Sequence, residues 1–219
     1  MKTYIALGIL VIITLVLTSC LSNLSEEAQR LEDIQIREYQ GEDLSSINSF
    51  RENSIKGPQQ INTEGYSLKI SGLVAKDSRY TYDEVINVYD HYKKVVELDC
   101  VEGWSVNILW EGILVRDLIN ESQALDSAKV VIFHASDGYT TSFPIEYIMD
   151  NDIIMAYKMN DVTMPPERGY PFQLVAESKW GYKWIKWITE IEISDDINYK
   201  GFWESRGYSN EGDLDKPFF

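Results

Sequence analysis

The alternation of apolar and polar positions divides the chain into short strands and short helices. Residues Tyr66 to Val74 alternate and predict a half-buried strand ending at Gly72. Thr81 followed by Glu84 has the spacing of a capping box, where side chain and backbone satisfy each other's orphan groups. It opens a predicted helix through Val85, Ile86 and Tyr89. Lys93 to Leu98 predicts a strand, Val106 to Trp110 a second extended run, and Val115 to Ile119 a helix lying on the sheet. Lys129 to Phe133 is apolar after its first residue, as in a strand covered on both faces. The small and polar residues 134–142 after it predict a loop that borders a pocket. Pro144 to Met149 predicts a helix with proline in its first turn. Ile153 to Met159 predicts another core strand, turned by Asn160-Asp161, and Phe172 to Val175 and Trp187 to Ile193 supply the last strands. Pro165, Pro166 and Pro171 exclude helix and ladder pairing, so the segment between is irregular. Strands and helices mixed in this order place the chain in the α+β class.

The start of the chain is different. Met1-Lys2-Thr3 is a short positive lead, and Tyr4 to Leu17 is apolar apart from Thr14. That run is shorter than the ~20 residues of a spanning helix, which reads as a signal peptide over residues 1–19. Leu17-Thr18-Ser19-Cys20 resembles a bacterial lipobox, which implies cleavage before Cys20, lipidation of its thiol and a membrane-tethered domain outside the cytoplasm. Residues 20–47 read as a tether and lead-in helix starting near Ser25, with Leu31 and Ile34 on a weak apolar face. Residues 48–219 form the globular domain, enough chain for a sizeable core. A net charge of −15 opposes nucleic-acid binding, since phosphate contact needs basic patches.

With Cys20 lipidated, Cys100 has no disulfide partner. It stands where the apolar strand gives way to a glycine-containing loop, a junction that holds a side chain rigidly with its tip open to a cavity. A thiolate there is a soft metal ligand, although a lone cysteine is also commonly a small buried hydrophobe. His91 reads as solvated and His134 as hydrogen-bonded structure. Neither joins Cys100 in a zinc-ligand spacing. Haem and dinucleotide signatures are also missing from the sequence. From Arg168 to Trp187 four basic residues face one acidic residue, Glu177, in an otherwise acidic protein. Three readings compete for this stretch. Interleaved aromatics could stack on single-stranded nucleic acid, which the charge of the rest opposes. The spacing of Trp180, Trp184 and Trp187 also fits one face of a helix. Finally, Gly181 permits a bend whose lysines and backbone amides cradle a phosphate.

Cys100-Val101-Glu102-Gly103-Trp104-Ser105, followed by Trp110-Glu111-Gly112 and Val115 to Ile119, resembles the molybdopterin-binding oxidoreductase family. That family includes sulfite oxidases and the periplasmic methionine-sulfoxide reductase catalytic subunit. The likeness continues through Met159 to Val175 and Lys179 to Lys186, and spans roughly Asn48 to Trp203. It implies a sulfite-oxidase-type fold of mixed short sheets with surrounding helices, and molybdopterin as cofactor. By the same resemblance Cys100 ligates molybdenum, while Glu102, Trp104 and Ser105 shape the approach to it. Asn48, Arg51 and Glu52 belong to an arm that wraps the pterin. Arg168, Lys183, Trp184, Ile185 and Lys186 complete the cofactor contacts, the two lysines neutralising its phosphate. Two departures stand out: Gln173 replaces an arginine, and Arg168 an asparagine or histidine, as if the charge had moved between them. Ser105 occupies the place of a basic residue that binds sulfite in sulfite oxidases, so the sequence looks closer to the sulfoxide-reductase branch. The implied activity is oxygen-atom transfer, reducing a small S-oxide-type substrate with electrons from a membrane redox partner. A rival is a non-catalytic lipoprotein that keeps the fold as a binding module. After Asp195 the chain is acidic and aromatic, which predicts a segment packed over the domain before fraying near Phe219.

Overall fold

The computed structural model describes residue 26 and residues 28–219. The predicted signal peptide and Cys20 lie outside the described residues. In chain order the elements are helical residues 28–34 (α1), β1 (Glu38–Tyr39), β2 (Glu42–Asp43), β3 (Leu68–Gly72), β4 (Ser78–Tyr80), α2 (Tyr82–Val88), β5 (Tyr92–Asp99) and β6 (Ser105–Leu114). They continue as α3 (Val115–Ser122), β7 (Val130–Ala135), β8 (Thr140–Pro144), α4 (Ile145–Met149), β9 (Ile154–Met159), β10 (Val162–Thr163), β11 (Gln173–Val175) and β12 (Ile188–Ser194). Short 3-10 turns punctuate the loops, among them Pro166–Arg168 and Gly181–Lys183.

Two five-stranded sheets carry the domain. One runs β10-β9-β6-β5, with β11 also on β9, and the other runs β4-β3-β12-β7-β8. The β12–β3 pair is parallel, and the other pairs of these sheets are antiparallel. Ile108, Trp110 and Ile113 of β6, Val131 and Phe133 of β7, Ile188 and Ile191 of β12, and Leu118 and Ile119 of α3 share one continuous buried cluster. The capping box forms as the sequence predicts: Glu84 N–H donates to the Thr81 hydroxyl, and Thr81 N–H to the Glu84 carboxylate at 2.7 Å.

Three expectations are corrected. Ile34 of α1 is 53% exposed, so Leu31 is the buried apolar side chain among the described residues of that helix. The loop read over 134–142 shrinks to Ser136–Tyr139, because β7 runs to Ala135 and β8 starts at Thr140. Residues 180–187 contain one 3-10 turn, Gly181–Lys183, rather than a helix carrying all three tryptophans. Trp187 sits in the left-handed region at φ 55°, and Trp180, Trp184 and Trp187 contact Phe218, Trp110 and the Pro166 carbonyl respectively. The C-terminal segment packs over the domain as expected: Ser209 N–H donates to the Phe218 carbonyl at 2.9 Å, Phe218 packs edge-on against Trp180, and Phe219 is exposed.

Candidate functional site

Six segments converge on one cavity of about 450 Å³. They are the β5–β6 hairpin loop, the arm around Phe50 to Gly57, Asp137 and Tyr139 at the β7–β8 turn, the Glu167–Arg168 turn with Gln173, residues 181–187, and Trp203 with Tyr208. Its size suits a small-molecule or cofactor site.

The hairpin loop presents the thiol. β5 and β6 pair as far as Asp99 and Ser105, so the five residues between them close a tight turn. Cys100 N–H donates to the Trp104 carbonyl at 2.9 Å, and Gly103, at φ 84°, donates back to the Cys100 carbonyl. Cys100 is 9% exposed and lines the cavity. Desolvation by this burial pushes its thiol pKa up, an effect a bound cation would reverse. Asn53 of the arm points its amide at Cys100 Sγ (3.8 Å) and at Glu102 Oε2 (3.2 Å). Trp104 Nε1 also donates to Glu102 Oε2, at 3.2 Å. These two bonds, Trp104 first, hold the Glu102 carboxyl below its usual range, so it is a carboxylate at neutral pH. Gly181 braces the loop from behind. A Cβ there would stand 3.1 Å from the Asp99 carbonyl oxygen and 3.5 Å from Cys100 Cα.

The opposite wall is cationic. Lys186 Nζ donates to Glu52 Oε1 at 2.6 Å and to the Glu167 carbonyl at 3.3 Å. Burial lowers its pKa despite the opposing pull of the paired Glu52 carboxylate, which marks a largely desolvated ion pair. Gly169, at φ 106°, makes room for the Lys186 stem: a Cβ there would lie 3.0 Å from Lys186 Cβ and Cγ. Trp184 and Ile185 lie beside β11, where Leu174 N–H donates to the Ile185 carbonyl at 2.9 Å. The Trp184 ring rests against Trp110 at 5.6 Å. Arg168 lines the cavity, yet three of its N–H groups donate to the carbonyls of Ile47, Phe50 and Arg51, at 2.9, 2.7 and 3.3 Å. Its guanidinium also stacks on the Phe50 ring at 3.8 Å. The Arg168 charge therefore fastens the arm, and Gln173 also lines the cavity.

Cys100, Glu102, Trp104, Arg51, Glu52, Arg168, Trp184, Ile185 and Lys186 are thus brought together. Three sequence-stated candidates are not. Asn48 donates to the Ala28 carbonyl at 2.9 Å and belongs to the α1 contact. Ser105 opens β6 as an exposed residue outside the cavity lining. Lys183 is completely buried on the far side of the 3-10 turn. Its Nζ donates to Glu204 Oε1 (2.7 Å), the Ser142 carbonyl (2.7 Å) and the Asn210 carbonyl (2.9 Å). A lysine so enclosed cannot reach a phosphate in the cavity. His134 pairs with Glu192 at 2.9 Å and is structural, while His91 is exposed, as expected, with one ring nitrogen at the Ile86 carbonyl. Sequence reasoning missed Asn53, Asp137, Tyr139, Tyr182, Trp203 and Tyr208 as lining residues. A signal existed for two of them, Asp137 and Tyr139, in the polar stretch after the β7 core strand.

The sequence model of the oxidoreductase molybdopterin binding domain matches residues 55–203. An uncharacterized oxidoreductase of Bacillus subtilis (strain 168), YuiH, is 30% identical over 149 residues, covering 68% of this chain and 74% of its own. YedZ1 of Azospira oryzae, a putative protein-methionine-sulfoxide reductase subunit, is 28% identical over 151 residues, 69% of this chain and 57% of its own. The sulfane dehydrogenase SoxCD from Paracoccus pantotrophus shares the fold, with a TM-score of 0.62 and 23% identity over 71% of this chain and 43% of its own. This chain therefore spans little more than half of YedZ1 and less than half of the SoxCD chain. A match over so much of the domain, around a cavity with one thiol and a desolvated cationic wall, settles the family: the chain belongs to the oxidoreductases with a molybdopterin binding domain.

Proposed function

We propose that the protein is a molybdenum-cofactor-dependent oxidoreductase that transfers an oxygen atom, reducing a small S-oxide-type substrate outside the cytoplasm. The observation that carries this reading is the single thiol of Cys100 in a cavity that Lys186 and Arg168 also line. Among the described residues no three His, Cys, Asp or Glu side chains are grouped to hold a metal. Cys100 would therefore give one soft ligand, and a cofactor would bring the rest. A desolvated Lys186 suits the negative charge of such a cofactor, and the arm fastened by Arg168 would cover it.

When bound, the cofactor supplies two-electron oxygen-atom exchange. The chain's own residues do the remainder. Cys100 would hold the metal from the hairpin, and Asn53, with its amide at 3.8 Å, is placed to orient that sulfur. Glu102, ionised beside the thiol, repels oxyanions such as sulfite and leaves neutral S-oxides the better guests. Reduction of an S-oxide consumes two electrons and two protons and releases a thioether and water. The electrons come from a membrane redox partner in this reading, since the sequence carries no haem or dinucleotide signature. Lipid attachment at Cys20 rests on the sequence alone. Among the described residues no helix is long and apolar enough to cross a membrane.

Metal analysis of protein made in a cofactor-competent host tests the assignment. One molybdenum per chain is expected, together with viologen-coupled reduction of a sulfoxide. Cys100→Ser should abolish metal binding while the unfolding transition persists. Molybdenum retained by that folded variant would overturn the ligand assignment, and wild-type protein free of molybdenum would leave a binding module.

A further inference from the structure

We propose that Trp203 and Tyr208 form a substrate-selecting wall, favouring S-oxides that carry an aromatic or bulky apolar substituent over the smallest dialkyl ones. This deepens the function proposed above and rests on it. Both residues line the cavity, although they come from a segment that follows β12 and joins neither sheet. Their path to the thiol is continuous. Gly181 lies against Asp99 and Cys100, and the next residue, Tyr182, packs edge-on against Tyr208 with ring centroids 5.1 Å apart. Tyr208 in turn meets Trp203 at 5.1 Å. Phe50 and Trp104, 5.6 Å apart, line the same cavity from the arm and the hairpin loop. A guest near Cys100 thus has aromatic faces within reach from several elements.

The polar groups agree with a neutral, apolar guest. Near the thiol the Glu102 carboxylate is offset by Arg51, which acts on it and lines the same cavity, and the buried cations Arg168 and Lys186 are engaged by backbone carbonyls and by Glu52. The ring surfaces of Phe50, Trp104, Trp203 and Tyr208 remain for an apolar substituent, and they suit sulfur and aromatic groups alike.

The wall is also held in place. Glu204, directly after Trp203, is buried and accepts hydrogen bonds from Lys183 Nζ (2.7 Å) and Thr141 Oγ1 (2.6 Å). Phe202 N–H donates to the Thr140 carbonyl at 2.9 Å, tying the preceding residue to β8. A wall anchored on both sides can discriminate by shape.

The test compares methyl p-tolyl sulfoxide with dimethyl sulfoxide on the molybdenum-loaded enzyme, wild type and the variants Trp203→Ala and Tyr208→Ala. The kcat/KM ratio of the aryl to the dimethyl substrate should fall about tenfold in each variant, as expected when a pocket loses apolar contact with one of two substrates. Binding of the aryl sulfoxide, followed by tryptophan fluorescence, should weaken in parallel, with Tyr208→Phe retaining wild-type affinity. An unchanged ratio, with the aryl sulfoxide bound equally well, overturns the wall. Weaker binding of the aryl sulfoxide by the variants than by the wild type, with the molybdenum-loaded wild type reducing neither compound, overturns the oxygen-transfer reading and leaves the wall standing.

Discussion

Lys183 and Lys186 show how much three positions can change a residue's work. Both belong to one basic stretch, and both carry a charge that burial penalises. The 3-10 turn over Gly181–Lys183 ends between them, so one side chain enters the protein interior and the other the cavity wall. Sequence could not separate them, because the side of a short turn that faces the core is set by packing partners far along the chain. Here those partners are Ser142, Glu204 and Asn210. Removing one member of a buried pair strands the other charge, so Lys183→Met should destabilise the fold by about 3–5 kcal/mol. Adding Glu204→Leu should recover most of that loss, as read by denaturant unfolding of the single and double variants. An equal loss in both would deny the pair its enclosed character. Cys100 was the opposite case, since its place after an apolar strand and before a glycine loop is a local pattern, and the hairpin puts it at the cavity.

At the level of elements, the strands were legible wherever alternation or an unbroken apolar run reported burial directly. β3, β5, β7, β9 and β12 fall within a residue or two of their predicted limits. The tryptophan spacing failed because a period near 3.6 also arises by chance when irregular backbone places large side chains. β6 holds a detail that only pairing reveals. Glu111 is buried within it and accepts from Lys158 at 2.9 Å, with Lys93 at 3.2 Å. Burial alone would raise its pKa, but the two lysines outweigh it and hold the folded value below the ordinary 4.5. The unfolded chain therefore takes up the proton first as pH falls. The pair's contribution is complete above about pH 4.5 and is lost as acidification passes the folded value. Urea unfolding between pH 6 and pH 3 should show this decline in the wild type. Glu111→Gln should be less stable at neutral pH by ~1–2 kcal/mol and flatter across the acid window.

For the whole molecule, the arm is the part that composition concealed. Residues 44–57 look like an ordinary polar loop, yet Arg168, Lys186 and Asn53 fasten it across the cavity. Those contacts link positions more than a hundred residues apart for Arg168 and Lys186, a separation no local pattern encodes. Replacing Arg168 by Met should free the arm, and trypsin should then cut after Arg51 or Lys56 at least about tenfold faster than in the wild type. That magnitude follows from losing several hydrogen bonds to a charged donor. Unchanged cleavage would mean the arm is held by its other contacts.

The cavity takes its walls from Phe50 near one end of the domain and from Tyr208 near the other. While the ribosome is still making the chain, no enclosing pocket exists, because a wall residue is missing until Tyr208 has been added. A guest that needs every wall must therefore be enclosed after the chain has been made through Tyr208, as the completed protein folds or opens.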